Sequence, residues 1–235
     1  MMKRSLLLVA LVAVALVAAA GSSSAQPKQG DVVFSVKGFS PGGLYYKTWP
    51  SGTVKTLASA ITLDCAKVPH SNTYVYASGG NSGNIYRYDK AGAQYTMTTV
   101  TSNAVAIGVD QDGSHMILNG SNRTIYRLSG TSCTAWLTLP TTYGTYNALC
   151  RDGYRGDWIV GAYTSGAVYL LRVDRLSKSV SVVAKLPGLG IQGVDWIPQT
   201  NEYVIAYQYS TTYARIGFVT SSGTLRTSTN IVGRT

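Results

Sequence analysis

An aromatic triplet that recurs five times, turn-forming clusters between short apolar runs, and no helical periodicity after the leader predict an all-β fold. The architecture expected is a β-propeller of about five four-stranded blades. The triplets are Leu44-Tyr45-Tyr46, Ile85-Tyr86-Arg87, Ile125-Tyr126-Arg127, Val168-Tyr169-Leu170 and the looser Ile216-Gly217-Phe218, with centres 41, 40, 43 and 48 residues apart. A period of that length is one sheet plus its turns, and such sheets bury their apolar faces only against one another.

The first 25 residues stand apart. Met1-Met2-Lys3-Arg4 is basic, Leu6 to Ala20 is an unbroken apolar run of 15, and Ser23, Ser24 and Ala25 offer small residues before a cut at Gln26. This predicts a cleaved signal peptide and a secreted or periplasmic protein with no membrane attachment after cleavage. An uncleaved anchor is the alternative, because 15 apolar residues approach the lower limit for spanning a bilayer. No cysteine follows the run, which argues against a lipoprotein anchor. Residues 26–235 are then one propeller domain, with blades at approximately 31–59, 60–101, 102–140, 141–187 and 188–235.

The third repeat is the template: Ala104 to Asp110 as inner strand, a turn at Gln111-Asp112-Gly113, His115 to Leu118, a turn at 119–122, Arg123 to Leu128, a turn at 129–132, and Thr134 to Leu139. The second and fifth repeats match at a constant offset of 129, pairing Pro69 with Pro198, Asn72 with Asn201, Tyr74 with Tyr203 and Val75 with Val204. In the fourth repeat, Ala148 to Arg151, Trp158 to Ala162, Ala167 to Val173 and Val180 to Leu186 are strands; in the fifth, Gly193 to Asp195, Tyr203 to Ala206, Ala214 to Val219 and Thr224 to Ile231. The first repeat supplies only Asp31 to Val36, Gly43 to Thr48 and Gly52 to Leu57, with no inner strand ahead of them. An unclosed ring exposes a sheet edge. Either Asn230 to Arg234 completes a five-bladed ring, or the chain is a fragment of a six- or seven-bladed one.

Without Lys3 and Arg4 the chain carries 18 basic and 10 acidic residues, a net charge of +8. The basic residues are scattered, with local groups only at Arg151/Arg155 and Arg172/Arg175/Lys178. A nucleic-acid protein concentrates such charge on one face, so no nucleic-acid partner is expected. Three cysteines, Cys65, Cys133 and Cys150, leave at least one unbridged in an oxidising compartment. Cys65 and Cys150 fall in the first strands of their repeats and read as buried inert thiols, with a Cys65–Cys150 bridge as the alternative.

The triplets and the Gly108-Val109-Asp110-Gln111-Asp112-Gly113 stretch resemble the secreted bacterial propeller repeat superfamily, whose members include NHL-type, YVTN-type and gluconolactonase-like repeats. The resemblance spans Asp31 to Ile231 and implies the fold rather than an activity. Gluconolactonase-like members hold a divalent cation with Glu, Asn and Asp from separate blades. Here the one glutamate, Glu202, matches Thr73 in a loop opposite the usual binding mouth. The two histidines, His70 and His115, fall in or beside that same loop and read as surface or packing residues.

Asp64, Asp110 and Asp195 lie near the ends of inner strands and could together hold Ca²⁺, a hard cation that wants oxygen ligands; otherwise each caps the turn that follows it, and no cofactor is expected. Tyrosine is the unusual component, at 17 residues against 3 phenylalanines. Tyr143, Tyr146, Tyr163, Tyr207, Tyr209 and Tyr213 fall in or next to loops on one side of the ring, with Asn81, Asn119, Asn122 and Gln208. A flat apolar face beside a hydroxyl, at low entropic cost, suits sugars and peptides. The chain is therefore expected to be non-catalytic and to bind an extracellular glycan or protein segment through these loops. A calcium-dependent lactonase-like or hydrolase-like propeller is one alternative. A structural module of a surface assembly is another.

Overall fold

Runs of five to eight residues rich in Val, Ile, Tyr and Thr, each broken by Gly, Asn or Asp, fold into antiparallel strands and nothing longer. The computed structural model describes residues 31–36, 43–48, 53–58, 62–68, 74–78, 83–88, 94–99, 103–211 and 213–231. The strands are β1 (Asp31–Val36), β2 (Gly43–Thr48), β3 (Val54–Ala58), β4 (Thr62–Lys67), β5 (Tyr74–Ser78), β6 (Asn84–Tyr88), β7 (Gln94–Thr99), β8 (Ala104–Val109), β9 (His115–Asn119), β10 (Thr124–Ser129), β11 (Ser132–Thr138), β12 (Thr145–Arg151), β13 (Trp158–Thr164), β14 (Ala167–Val173), β15 (Val180–Pro187), β16 (Gly190–Ile197), β17 (Glu202–Gln208), β18 (Ala214–Thr220) and β19 (Leu225–Ile231). A 3-10 turn at Thr141–Tyr143 lies between β11 and β12.

Each sheet is a meander taken in chain order: β4 to β7, β8 to β11, β12 to β15 and β16 to β19 are four-stranded blades of a β-propeller. Consecutive inner strands pack side by side, β4 on β8, β8 on β12 and β12 on β16. The first sheet has three strands, with β1 packed against β4. Of the C-terminal run expected to supply an inner strand there, the described residues Asn230 and Ile231 do not do so. Asn230 and Ile231 end β19, which pairs with β18, and Arg215 Nε donates to Asn230 Oδ1 at 2.8 Å. Residues 232–235 lie outside the described residues, as do the leader and Asn81. Among the described residues no helix is long and apolar enough to cross a membrane.

The core is divided into wedges between adjacent blades, and the blades of β8–β11 and β12–β15 each contribute to two of them. Strand period two does the sorting. In β13, Trp158, Val160 and Ala162 join Met116, Leu118 and Ile125 of the preceding blade, whereas Ile159 joins Ile191, Ile205 and Tyr207 of the following one. A third wedge of Val75, Ile85, Ile107, Ile117 and Leu128 lies between the blades of β4–β7 and β8–β11. Each fully buried aliphatic side chain contributes about 1.5–3 kcal/mol.

One irregularity repeats. Each inner strand slips register against its neighbour by one residue near its start: between Thr62 and Asp64, Ala104 and Ala106, Tyr146 and Ala148, and Ile191 and Gly193. A bulge adds twist and re-aims the side chain it leaves unpaired. The unpaired residues are Leu63, Val105, Asn147 and Gln192. The last two, from adjacent blades, meet: Asn147 Nδ2 donates to Gln192 Oε1 at 3.2 Å and to the Ile191 carbonyl at 3.0 Å.

Of the cysteines, Cys65, Cys133 and Cys150 are unbridged. Cys150 is buried as its inner strand implies, and burial pushes its thiol well above the ordinary range. Cys65, expected to be buried likewise, is half-buried, as is Cys133.

Candidate functional site: two chemically distinct rims

A meander with every inner strand running the same way places its loops on two rims. One rim gathers the connections from second to third strand and from fourth strand to the next blade. Where described, these are 103, 120–123, 139–144, 165–166, 188–189 and 209–213. They contain no Asp or Glu, and Arg123 is their one charged residue. The other rim gathers 110–114, 130–131, 152–157, 174–179, 198–201 and 221–224, and it holds Asp110, Asp112, Asp152, Asp157 and Asp174.

The neutral rim carries most of the tyrosines expected there, but not all are available. Tyr143 and Tyr163 are half-buried; Tyr209 and Tyr213 are exposed and Gln208 is partly so. The Tyr143 ring lies 5.3 Å from that of Tyr169, tilted by 60°. The Arg215 guanidinium stacks 3.6 Å from the centre of the Tyr209 ring, a cation–π pair. Adjoining loops are laced by backbone bonds, Leu189 N to the Gln208 carbonyl at 2.7 Å and Gly188 N to the Gly166 carbonyl at 3.3 Å.

Three residues expected at this rim are turned inward instead. Tyr146 is buried, and its hydroxyl donates to the Pro140 carbonyl at 2.6 Å. Burial, with Tyr143 nearby, pushes its phenol up to about 12. Tyr207 is a core residue of the last wedge. Asn119 is buried with Oδ1 accepting from Ser121 N and Asn122 N at 2.9 and 3.2 Å, so it holds its own turn. Tyr146 and Tyr207 lie within strands with their rings in the wedges between blades, whereas Asn119 ends its strand with its amide folded over the following turn.

The aspartates expected to surround one cation sit at different levels. Asp64 matches Gly193 in the repeat register, two residues before Asp195, so the pair does not share a height on the hub. Asp64 accepts Cys65 N at 2.8 Å and, across the blade boundary, Ile107 N at 3.0 Å. Asp110 turns to the charged rim, ion-paired with Arg151 at 2.7 Å and with Arg175 at 3.7 Å. Among the described residues no three His, Cys, Asp or Glu side chains are grouped to hold a metal ion. Asp195 accepts Trp196 N at 2.8 Å. It keeps some accessible surface, yet protein atoms enclose it closely enough that burial, aided by the Asp64 charge, raises its carboxyl to about 7.

The charged rim was the part least foreseen. Its carboxylates tie groups within and between blades: Tyr203 Oη of the next blade donates to Asp152 Oδ2 at 2.6 Å, Arg172 donates to the same Tyr203 Oη at 3.0 Å, and Arg172 lies 3.7 Å from Asp157 of its own blade. Glu202, at the start of β17 and buried, receives both Nε and an Nη of Arg226, at 2.8 and 2.9 Å. His115 opens β9, buried, with Nε2 lacking a hydrogen-bond partner and its imidazole pushed below the ordinary range, chiefly by burial. His70 lies outside the described residues. The signal for this network was present in the two local basic groups, had they been placed on the repeat register.

No protein-family model and no curated protein matches the chain. Solved structures do. The chain is similar to a structure of the nidogen/laminin complex, at 11% identity and a TM-score of 0.69, covering 87% of this chain and 79% of that one. It is similar to TolB from Acinetobacter baumannii, at 16% identity and 0.66, covering 84% and 52%. It is similar to regucalcin from Agrobacterium tumefaciens, described as a calcium-binding protein, at 13% identity and 0.59, covering 80% and 68%. The structural neighbours are propellers of the NHL and YVTN kind, and likeness at this level of identity concerns the fold alone.

Proposed function

We propose that this chain is an exported, non-catalytic propeller that binds a glycan or protein segment outside the cytoplasm through its neutral rim. The carrying observation is the separation of chemistry between rims. Tyr143, Tyr163, Tyr209 and Tyr213 border described loops free of carboxylates, while Asp110, Asp112, Asp152 and Asp157 of the other rim neutralise arginines. Aromatic faces next to amide and hydroxyl groups grip uncharged ligands without desolvating an ion. General acid–base chemistry asks for an unengaged titratable group within reach of a substrate; Asp110, Asp152, Asp157 and Glu202 are each engaged by Arg or Tyr. The basic leader with its apolar run supports export, and amino-terminal sequencing of the secreted form should begin at Gln26.

A glycan array and a pull-down with extracellular polymers test the binding reading. Retained ligand should be lost when Tyr143, Tyr163 and Tyr209 are changed to Ala together; binding that ignores all three changes would remove the rim from consideration. The rival reading, a calcium-assisted lactonase-like or hydrolase-like enzyme, draws on one observation, the carboxyl of Asp195 raised to about 7, since perturbed carboxyls mark functional sites. Metal analysis of the purified protein separates the two: stoichiometric calcium that raises the melting temperature would favour the rival.

A further inference from the structure

The charged rim holds an open cleft that the fold does not fill. It is shallow and open to solvent, with a volume of about 560 Å³, and is lined by Tyr154, Arg155, Asp157, Asp174, Arg175 and Leu176. Both walls belong to one blade, the 152–157 loop and the 174–179 turn. We propose that this cleft is a second binding site, distinct from the neutral rim, for acidic peptide segments bearing bulky apolar side chains.

Charge complementarity identifies the occupant. The two acids of the cleft are engaged by the protein itself, Asp174 at the surface by its own turn and Asp157 by the neighbouring strand. Asp174 Oδ1 accepts Leu176 N, Ser177 N and the Ser177 hydroxyl at 3.0, 2.7 and 2.9 Å. Asp157 accepts Arg175 N at 3.2 Å and faces Arg172 at 3.7 Å. The two bases are not so confined. Arg155 is exposed and has no acidic partner among the described residues. Arg175 reaches Asp110 only at 3.7 Å, with its side chain 49% exposed. The cleft therefore presents guanidinium to solvent, and guanidinium pairs with carboxylate in a bidentate geometry.

The apolar part of the ligand follows from what flanks those arginines. Tyr154 is 75% exposed and Leu176 is 91% exposed. Single exposed apolar residues are ordinary, but these two are held outward by tightly bonded turns. Asp152 Oδ1 accepts both Tyr154 N and Arg155 N, at 3.0 and 3.1 Å, and Gly156 N reaches the Asp152 carbonyl at 2.7 Å. Lys178 N reaches the Asp174 carbonyl at 3.0 Å, closing the opposite wall. Binding would therefore pay little to order the backbone. Aromatic side chains and arginine are the residues enriched where protein partners bind.

Fluorescence anisotropy with three labelled peptides tests this on the full chain: one alternating Glu and Phe, one alternating Glu and Ser, and one alternating Lys and Phe. The Glu/Phe peptide should bind, more weakly as salt is raised, and the other two should bind at least about tenfold less well. Arg155→Glu should weaken the Glu/Phe peptide about tenfold, and Tyr154→Ser and Leu176→Ser about fivefold each. All three side chains are exposed, so unchanged melting curves should accompany the losses. Equal binding of the Glu/Ser peptide would mean general attraction to a basic protein and overturn the proposal. So would indifference to Arg155→Glu, or no binding of the Glu/Phe peptide. Neutral-rim variants should leave this binding intact.

Discussion

The phenol of Tyr203 in β17 donates a 2.6 Å hydrogen bond to Oδ2 of Asp152, a buried carboxylate in the loop after β12 of the preceding blade. Arg172 reaches the same phenol at 3.0 Å. Removing the hydroxyl leaves a buried anion one donor short. Tyr203→Phe should cost about 1–3 kcal/mol and lower the midpoint of thermal unfolding; Asp152→Asn should cost a similar amount. Measured together, the pair should be less than additive, since both changes delete one interaction.

Gly108 should reject a methyl group. A Cβ there would stand 2.5 Å from Cζ3 of Trp158, a buried indole of the next blade. Gly108→Ala should cost about 1–3 kcal/mol by overpacking. Adding Trp158→Leu should recover part of the loss, a sign that the collision is with the ring rather than the backbone.

Arg151 and Asp110 are both largely buried and 2.7 Å apart. Truncating one partner strands the other charge, so Arg151→Ala should cost about 3–5 kcal/mol. Replacing both by apolar residues of similar volume should cost much less. Urea unfolding of the single and double variants distinguishes the two outcomes.

Two groups should set the pH dependence of stability, with opposite signs. Asp195 has its folded carboxyl raised to about 7, so the native state holds a proton that the unfolded chain releases from about pH 4 upward; this contribution falls as pH rises through that window and levels off above 7. His115 has its imidazole lowered, so its contribution is lost as pH falls below about 6.5. Asp195→Asn should flatten the first slope and His115→Asn the second, as read from melting temperature against pH.

Tyr146 separates structural from recognition tyrosines. Tyr146→Phe removes the bond to the Pro140 carbonyl and should cost about 0.5–1.5 kcal/mol with no effect on ligand capture. Tyr209→Ala should do the reverse, costing little stability and weakening capture.

The strand period and the turn residues carried the architecture into the sequence. Ala167 to Val173 and Gly43 to Thr48 are found in the structure with the bounds their patterns imply, because alternation and Gly or Asn breaks are local signals. The rim was legible only in part. Tyr209 in a loop and Tyr207 in a strand look alike in sequence, and it is the register of β17 that buries the second. Tyr169 sat in view as the centre of its triplet, yet its approach to Tyr143 depends on the turn at Thr141–Tyr143. The inner-strand bulges that bring Asn147 to Gln192 leave no composition signal at all. Paired charges such as Arg151 with Asp110 lie 41 positions apart and are joined only through the repeat.

Trp158 leaning on Gly108, and the ring of Trp196 closing over Gly153, join three successive blades, each tryptophan resting on a glycine of the blade before it. Cohesion in such a row is passed from neighbour to neighbour. Trp158 and Gly153 both belong to the blade of β12–β15, so removing that blade should break both joints at once and leave the blades on either side without their rests.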